Sequence, residues 1–326
     1  MSRHLLIDTD PGIDDALAIL LALSSSEARV ETITTVAGNV SVDLATLNAR
    51  RILAVAAPEP MPPVFQGAET PLKGPLITAA HAHGDDGLGH LDRFVEPDGR
   101  PRYPEPTVPL QTGAAAEAIL DTADRWGPDL TIVALGPLTN LAAALARDAR
   151  RLTQAGRIVV MGGAIAVPGN VTPAAEFNIH VDPEAAAMVL SAGLPVELVP
   201  LDVTRRVVLA ETALTERLRH RATRTARFIL DFTGHGFAFS ADREGGGIVL
   251  HDPLAMAVAL DPSLVAFEPL HVEVECEGQL TRGLTLADRR QRPADRDTAP
   301  TCRVALDVDV ERALRLVLEG LCPASA

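Results

Sequence analysis

The chain has 326 residues, 47% of them hydrophobic, which is enough to bury a substantial core and argues against intrinsic disorder. Its formal net charge of −14, with one Trp and one Tyr, disfavours nucleic acid as a partner, since such binding needs basic residues against phosphates and aromatic rings against bases. The longest clean apolar run, residues 16–23, is far shorter than a membrane span, so no membrane partner is expected.

Short apolar runs alternate along the chain with helical patterns. The predicted strands are residues 5–7, 30–36, 130–135, 158–161, 196–200 and 272–274. The predicted helices are residues 42–56, 114–126, 140–147, 183–192 and 211–232. Such alternation is typical of crossover units, and it predicts an α/β fold with an open, mostly parallel sheet flanked by helices.

Two stretches rich in Pro and Gly, residues 58–75 and 84–109, interrupt this pattern. Because strands and helices continue to alternate on both sides, we interpret both stretches as surface loops and predict a single domain over residues 1–326.

The three cysteines are few and lack CxxC spacing, so neither a disulfide framework nor a zinc site is expected. The amino end shows no basic segment followed by a secretory apolar segment. We therefore expect a cytoplasmic protein.

The densest charge cluster lies between the first predicted strand and the apolar run that follows it. It reads Asp8-Thr9-Asp10-Pro11-Gly12-Ile13-Asp14-Asp15. In an open α/β sheet, ligands bind beyond the carboxyl ends of the strands, and four carboxylates crowded there repel one another unless a positive group is present. A hard cation with oxygen ligands is the natural candidate.

The cluster has two other possible interpretations. An EF-hand fits poorly, because counting from Asp8 the sixth position is Ile13 rather than Gly and the twelfth is Ile19 rather than Glu. Alternatively, Asp14 or Asp15 caps the following helix, which accounts for one or two of the carboxylates but not for four.

Polar groups also follow other predicted strands. Asn39 comes after the second strand, where its amide can donate to a carboxylate or a sugar hydroxyl, or simply form a turn. The carbonyl of Leu135, between a strand and a helix, is a plausible ligand for a hard cation or part of an ordinary turn. The glycine-rich loop after His81 and His83 is either a mobile lid carrying a functional His or an exposed loop.

Two further segments carry candidate site residues. Asn170, Glu176 and Asn178 offer donors and acceptors that suit a polyhydroxyl ligand such as ribose, although an Asn-rich loop can also satisfy its own backbone. Asp252 can bring another carboxylate to the cation or cap a helix, and His251 can donate a proton near neutral pH or be structural.

These segments together resemble the inosine–uridine-preferring nucleoside hydrolase family. In chain order they read DTDPGIDDALAI, TTVAGNV, HGDDGLG, LGPLTN, MGG, GNVTPAAEFNIHVDPEAA and HDPLA. A later stretch, Arg282-Gly283-Leu284-Thr285 with Asp288, resembles a late family segment, so the match covers nearly the whole chain.

The resemblance implies hydrolysis of the N-glycosidic bond of ribonucleosides at a calcium ion on the carboxyl edge of the sheet. The implied calcium ligands are Asp10, Asp15, Asp252 and the backbone carbonyl of Leu135. The implied ribose-binding residues are Asp14, Asn39, Asn170, Glu176 and Asn178, and His83 is a further candidate for substrate binding. Asp10 would be the general base for a calcium-bound water, and His251 would lie near the leaving base.

Family members form dimers or tetramers, so a homodimer or homotetramer is expected.

Alternatives from other classes remain open at this stage. A phosphatase of the haloacid-dehalogenase type would use Asp8 and Asp10, but it leaves Asp14 and Asp15 unexplained. A calcium- or sugar-binding protein without catalytic activity would keep the ligands and need no general base.

Preference for one nucleobase over another would depend on residues 219–247. These supply Phe228, Phe232, His235, Phe237, Phe239 and Arg243.

Overall fold

The computed structural model describes residues 3–241, 246–289 and 299–322. The strands are β1 (Arg3–Thr9), β2 (Ala28–Thr35), β3 (Val64–Gln66), β4 (Leu130–Ala134), β5 (Arg157–Met161), β6 (Val196–Val199), β7 (Val208–Leu209), β8 (Ile248–Val249), β9 (Val265–Leu270), β10 (Val272–Val274), β11 (Thr285–Ala287) and β12 (Cys302–Val308). The helices are α1 (Ile13–Ser24), α2 (Val42–Ala56), α3 (Ala80–His83), α4 (Ala115–Trp126), α5 (Thr139–Leu152), α6 (Phe177–Val181), α7 (Pro183–Ser191), α8 (Leu201–Thr204), α9 (Glu211–Leu218), α10 (Arg224–Ser240), α11 (His251–Leu260) and α12 (Val310–Leu321).

The central sheet has its strands in the order β3-β2-β1-β4-β5-β6-β12-β9 within the described residues. All neighbouring strands in it are parallel except β9, which pairs antiparallel with β12 at one edge. Strands β2 and β3 follow β1 on one side of it, and the chain then returns so that β4 pairs with the other side of β1. The β1–β4 boundary is therefore the topological switch point, where open α/β sheets bind ligands. The predicted fold class is confirmed.

Helices cover both faces of this sheet. Leu5 and Ile7 of β1 join the apolar core on one face, and Leu6 joins the core on the other, as strand alternation requires. The apolar run of residues 16–23 forms most of α1, which is buried nearly all round because α11 and α12 pack against it. A helix that is apolar on all sides is stable only when enclosed in this way.

Most predicted elements are confirmed, with small shifts at their ends. One predicted helix, residues 211–232, is wrong as a single element, because it is divided into α9 and α10. The Thr223 hydroxyl accepts a hydrogen bond from the Ala226 N–H (3.1 Å) and starts α10 as a new helix.

Three other features of the sheet differ from the sequence interpretation. The predicted strand at residues 272–274 exists as β10, but it pairs with β11 in a separate two-stranded sheet. Residues 58–75, interpreted as a loop, contain β3 at the edge of the central sheet, and β9 and β12 were not predicted. The single-domain assignment stays a prediction. No helix in the described ranges is long and apolar enough to cross a membrane.

Candidate active site

A cavity of about 690 Å³ opens at the carboxyl ends of the central strands. Eight of the eleven residues assigned to the site from the sequence line it: Asp14, Asn39, His83, Asn170, Glu176, Asn178, His251 and Asp252. The remaining three are buried: Asp10 follows β1, Asp15 lies in the first turn of α1, and Leu135 follows β4. The structure therefore brings residues that are far apart in sequence to one edge of the sheet.

Asp15 is fixed by three hydrogen bonds, one of which caps the amino end of α1. Its Oδ2 accepts from the Gly12 N–H (2.9 Å) and from Asn39 Nδ2 (3.1 Å), and its Oδ1 accepts from the Thr9 hydroxyl (2.5 Å). The capping interpretation is thus correct for Asp15. It does not account for the other carboxylates.

Asp10 is held on one side only. Its Oδ2 accepts from the Asn39 N–H at 2.6 Å, whereas its Oδ1 is buried without a hydrogen-bond partner among the described residues. Gly38 and Gly136 make room for this carboxylate, since a Cβ at position 136 would lie 2.5 Å from Asp10 Oδ1 and one at position 38 would overlap Oδ2. These two glycines follow the second and fourth strands and were not identified from the sequence as site residues.

The carboxylates form a buried group of like charge. Asp14, Asp15 and Asp252 each place an oxygen within 4.8 Å of the others, a spacing that a metal ion can bridge. This trio contains Asp14, which the sequence assigned to ribose, and does not contain Asp10, which the sequence assigned to the metal. Burial, followed by repulsion from Asp15, raises the pKa of Asp10 well above its usual range. Burial and repulsion from Asp14 do the same to the pKa of Asp252, and burial raises the pKa of Asp14 to about 6.

No strong cation compensates these charges within the described residues. The basic group in ion-pair range of the acidic group is His83, whose Nδ1 lies 3.9 Å from Asp14 Oδ1. That nitrogen accepts a hydrogen bond from the Ile13 N–H (3.0 Å), and burial lowers the pKa of His83 to about 4, so the ring is neutral at pH 7. The donor set consists of oxygen atoms, and it fits a hard cation.

Glu176 and Asn178 are positioned by the short helix α6. The Glu176 carboxylate accepts from the N–H groups of Gly163, Asn178 and Ile179 at 3.0–3.1 Å, and burial raises its pKa to about 7. Asn178 Nδ2 donates to the carbonyl of Leu135 at 2.6 Å and to that of Met161 at 3.1 Å. Asn170, by contrast, is exposed at the cavity rim, and its Oδ1 accepts from the Phe177 N–H (2.9 Å).

His251 is the first residue of α11. Its Nδ1 lies 2.8 Å from the Thr204 hydroxyl, a partner that the sequence did not suggest. Burial, followed by repulsion from Arg205 and His83, lowers the pKa of His251 to about 4. The ring is therefore neutral near pH 7.

Of the four phenylalanines in residues 219–247, the region expected to contact the base, one lines the cavity. Phe239 lines the cavity, with the His81 ring 6.0 Å from its own. The other three phenylalanines, Phe228, Phe232 and Phe237, are buried in the core, as phenylalanines at helical spacing often are. His235 stacks edge-on against His90 outside the cavity lining, and Arg243 lies outside the described residues.

Asp8 does not reach the cavity. Its Oδ1 accepts from the Thr34 hydroxyl (2.6 Å) and from Asn140 Nδ2 (2.8 Å), and the residue is fully buried. This position gives Asp8 a structural role at the base of the switch point and disfavours it as a nucleophile.

Comparisons with known proteins agree with this site. Residues 5–315 match the family model described as inosine-uridine preferring nucleoside hydrolase. A pyrimidine-specific ribonucleoside hydrolase RihA from Salmonella paratyphi B is 38% identical over 323 residues, which cover 98% of this chain and 99% of the relative.

Two solved structures are similar throughout. A purine-preferring ribonucleoside hydrolase from Gardnerella vaginalis has a TM-score of 0.89 at 34% identity, covering 98% of both chains. A plant nucleoside hydrolase, PpNRh1, has a TM-score of 0.87 at 35% identity, covering 99% of this chain and all of the other. The chain therefore belongs to the inosine-uridine preferring nucleoside hydrolase family, and it is a ribonucleoside hydrolase.

Proposed function

We propose that the protein splits ribonucleosides into ribose and free base in a calcium-dependent reaction, with Asp10 as general base. The observation that carries this proposal is the buried carboxylate group at the topological switch point, whose charge no described cation balances. One relative is named as pyrimidine-specific and another as purine-preferring. The substrate is therefore proposed as a ribonucleoside, without a particular base.

The proposed calcium ligands are the carboxylates of Asp10, Asp15 and Asp252 with the carbonyl of Leu135. Asp10 Oδ1 has no hydrogen-bond partner in the described structure, and the Leu135 carbonyl, with one hydrogen bond from Asn178, keeps a second lone pair. Calcium takes 6–8 oxygen ligands and suits such a set. When bound, the ion would neutralise the carboxylates, anchor sugar hydroxyls and make a nearby water more acidic.

Asp10 is suited to accept a proton from the attacking water. The Asn39 N–H holds Oδ2, which orients the carboxylate and leaves Oδ1 without a competing donor. A general base needs a fixed position and an available lone pair, and Asp10 has both.

The cavity lining supplies the proposed ribose contacts. Asp14, Asn39, Asn170, Glu176 and Asn178, with His83, place donors and acceptors around one space. Loss of the base leaves positive charge on the sugar ring, and buried carboxylates near the ring stabilise that charge. His251 would lie at the leaving base, where its neutral ring can offer an N–H.

We also propose that the protein is a homodimer or homotetramer, lies in the cytoplasm and folds as a single domain. These assignments rest on the family resemblance and on composition. The three cysteines are free thiols, which suits a reducing compartment.

Incubation with inosine, uridine and p-nitrophenyl phosphate tests the function against its alternatives. We expect release of ribose from at least one nucleoside. Release of phosphate would instead support a phosphatase, and release of neither would support a protein that only binds calcium or sugar.

The calcium ligands are tested by removing them singly. Asp15→Ala and Asp252→Ala should each lose stoichiometric calcium by elemental analysis, whereas Asp43→Ala, at an exposed position on α2, should keep it. Asp252→Ala is included because Asp15 also caps α1. Calcium retained with unchanged affinity in both site variants would show that these carboxylates are not its ligands.

Asp10→Asn tests the general base. The amide keeps one oxygen but cannot accept the proton, so we expect kcat to fall by about 10²-fold or more, with a smaller change in KM. Asp8→Asn, two residues earlier on β1, is the matched control and should affect stability more than kcat. An Asp10→Asn enzyme that retains most of its kcat contradicts the assignment.

Gly136→Ala tests whether the space beside Asp10 matters. The new Cβ would lie 2.5 Å from Asp10 Oδ1 and must displace it. A displacement of about 1 Å can cost about 10²-fold in rate, so kcat/KM should fall by about that factor. Gly234→Ala, where a Cβ meets nothing within 4 Å, should leave kcat/KM unchanged. Equal kinetics in the two variants would contradict the proposed geometry.

A further inference from the structure

The segment from Gly163 to Glu176, here called the ribose loop, connects β5 to α6 and carries Asn170 and Glu176. Its middle part is exposed at Pro168, Asn170 and Val171. Around Asn170 the loop makes hydrogen bonds of its own: the Asn170 N–H donates to the Ala175 carbonyl (3.1 Å) and the Gly169 N–H to the Pro173 carbonyl (3.1 Å). Ordering an exposed loop of this length still costs considerable conformational entropy, and contacts from outside the loop add to these bonds.

Helix α8 supplies several of those contacts to the first half of the loop. The Leu201 N–H donates to the Gly163 carbonyl (2.9 Å). The Asp202 carboxylate accepts from the N–H groups of Ile165 (2.9 Å) and Ala166 (2.8 Å).

Arg205, the residue after α8, holds the part of the loop next to Asn170. Its Nη1 donates to the Pro168 carbonyl (2.8 Å), and its Nη2 donates to the Gly169 carbonyl (2.7 Å). The side chain also lines the cavity. A guanidinium presents donors in a rigid planar fork, which fixes two neighbouring acceptors better than an ammonium group does.

The start of the ribose loop also contacts the segment Arg282-Gly283-Leu284-Thr285. The Thr285 hydroxyl accepts from the Ala164 N–H (2.8 Å) and lies 2.9 Å from the Ala164 carbonyl, to which it donates. This contact is close to β5. Near the exposed Asn170, the side-chain contacts to the Pro168 and Gly169 carbonyls come from Arg205.

We propose that Arg205 is a positioning residue for the ribose subsite, because its guanidinium bridges the Pro168 and Gly169 carbonyls and thereby places Asn170 at the cavity. This inference rests on the proposed function, in which Asn170 contacts ribose. Arg205 acts on ribose through the loop. Its charge also repels His251, so the deciding quantity is the affinity for free ribose, which carries no base.

The neighbouring Arg206 offers a matched control. Its Nη1 pairs with Asp307 of β12 at 2.6 Å, and Arg206 does not line the cavity. Arg205→Met and Arg206→Met therefore remove the same charge from adjacent positions, but only the first removes the contacts to the ribose loop.

The test compares the two variants by their KM and kcat for uridine and inosine and by competitive inhibition with the product D-ribose. Two charge-assisted hydrogen bonds to the loop are lost and water replaces part of them, so we expect Arg205→Met to raise the inhibition constant of ribose about tenfold. KM should rise in parallel and kcat should change less. Arg206→Met should match the wild-type protein in all three quantities. A role in folding alone would lower the melting temperature without changing the affinity of the folded enzyme for ribose.

Two outcomes overturn the proposal. One is a ribose inhibition constant for Arg205→Met within twofold of that for Arg206→Met. The other is a changed KM with an unchanged ribose inhibition constant, which would place the guanidinium against the base. If Arg205→Met does not fold, Arg205→Lys against Arg206→Lys decides on the same criterion. Ribose release by the wild-type enzyme is measured first, so an unchanged Arg205 variant of an active enzyme rejects only the positioning role.

Discussion

Mutual repulsion among the buried carboxylates at the β1–β4 boundary is the constraint on which the rest of the site depends. Asp10, Asp14, Asp15 and Asp252 are largely removed from water, and burial raises the pKa of each. Repulsion from neighbouring carboxylates raises the pKa of Asp10, Asp15 and Asp252 further. Hydrogen bonds from backbone N–H groups offset part of the free-energy cost of burying these charges. The amino ends of α1 and α11 also converge there, and helix N-termini stabilise negative charge. These contacts orient the carboxylates without neutralising them.

A fold selected only for stability would not retain such a group, because unpaired buried charge is strongly destabilising. Strongly perturbed carboxylates in a cleft are typical of functional sites. A cation that binds the folded chain better than the unfolded one also adds to stability by mass action. Loading of the proposed calcium site and folding of this edge of the sheet are therefore linked.

Features formed by residues that are neighbours in the sequence were predicted well. The Asp8–Asp15 turn could be identified because its carboxylates lie within eight residues and between two apolar runs. The sheet edges were harder to predict, since β3 is three residues long and lies in a Pro-rich stretch. The contacts from Thr204 to His251 and from Arg205 to Gly169 span 47 and 36 residues. No local pattern encodes such pairs, because they exist only after α8 is packed beside the sheet.

Asp15 shows why the capping and metal interpretations of one residue are compatible. A carboxylate has about four lone-pair sites, and Asp15 uses three of them for Thr9, Gly12 and Asn39. One site remains for a cation. Asp10 uses one lone pair for the Asn39 N–H and keeps all of Oδ1 free. The same count of lone pairs is consistent with the proposed roles: the more saturated carboxylate, Asp15, is suited to be a ligand, whereas the less saturated one, Asp10, can also accept a proton.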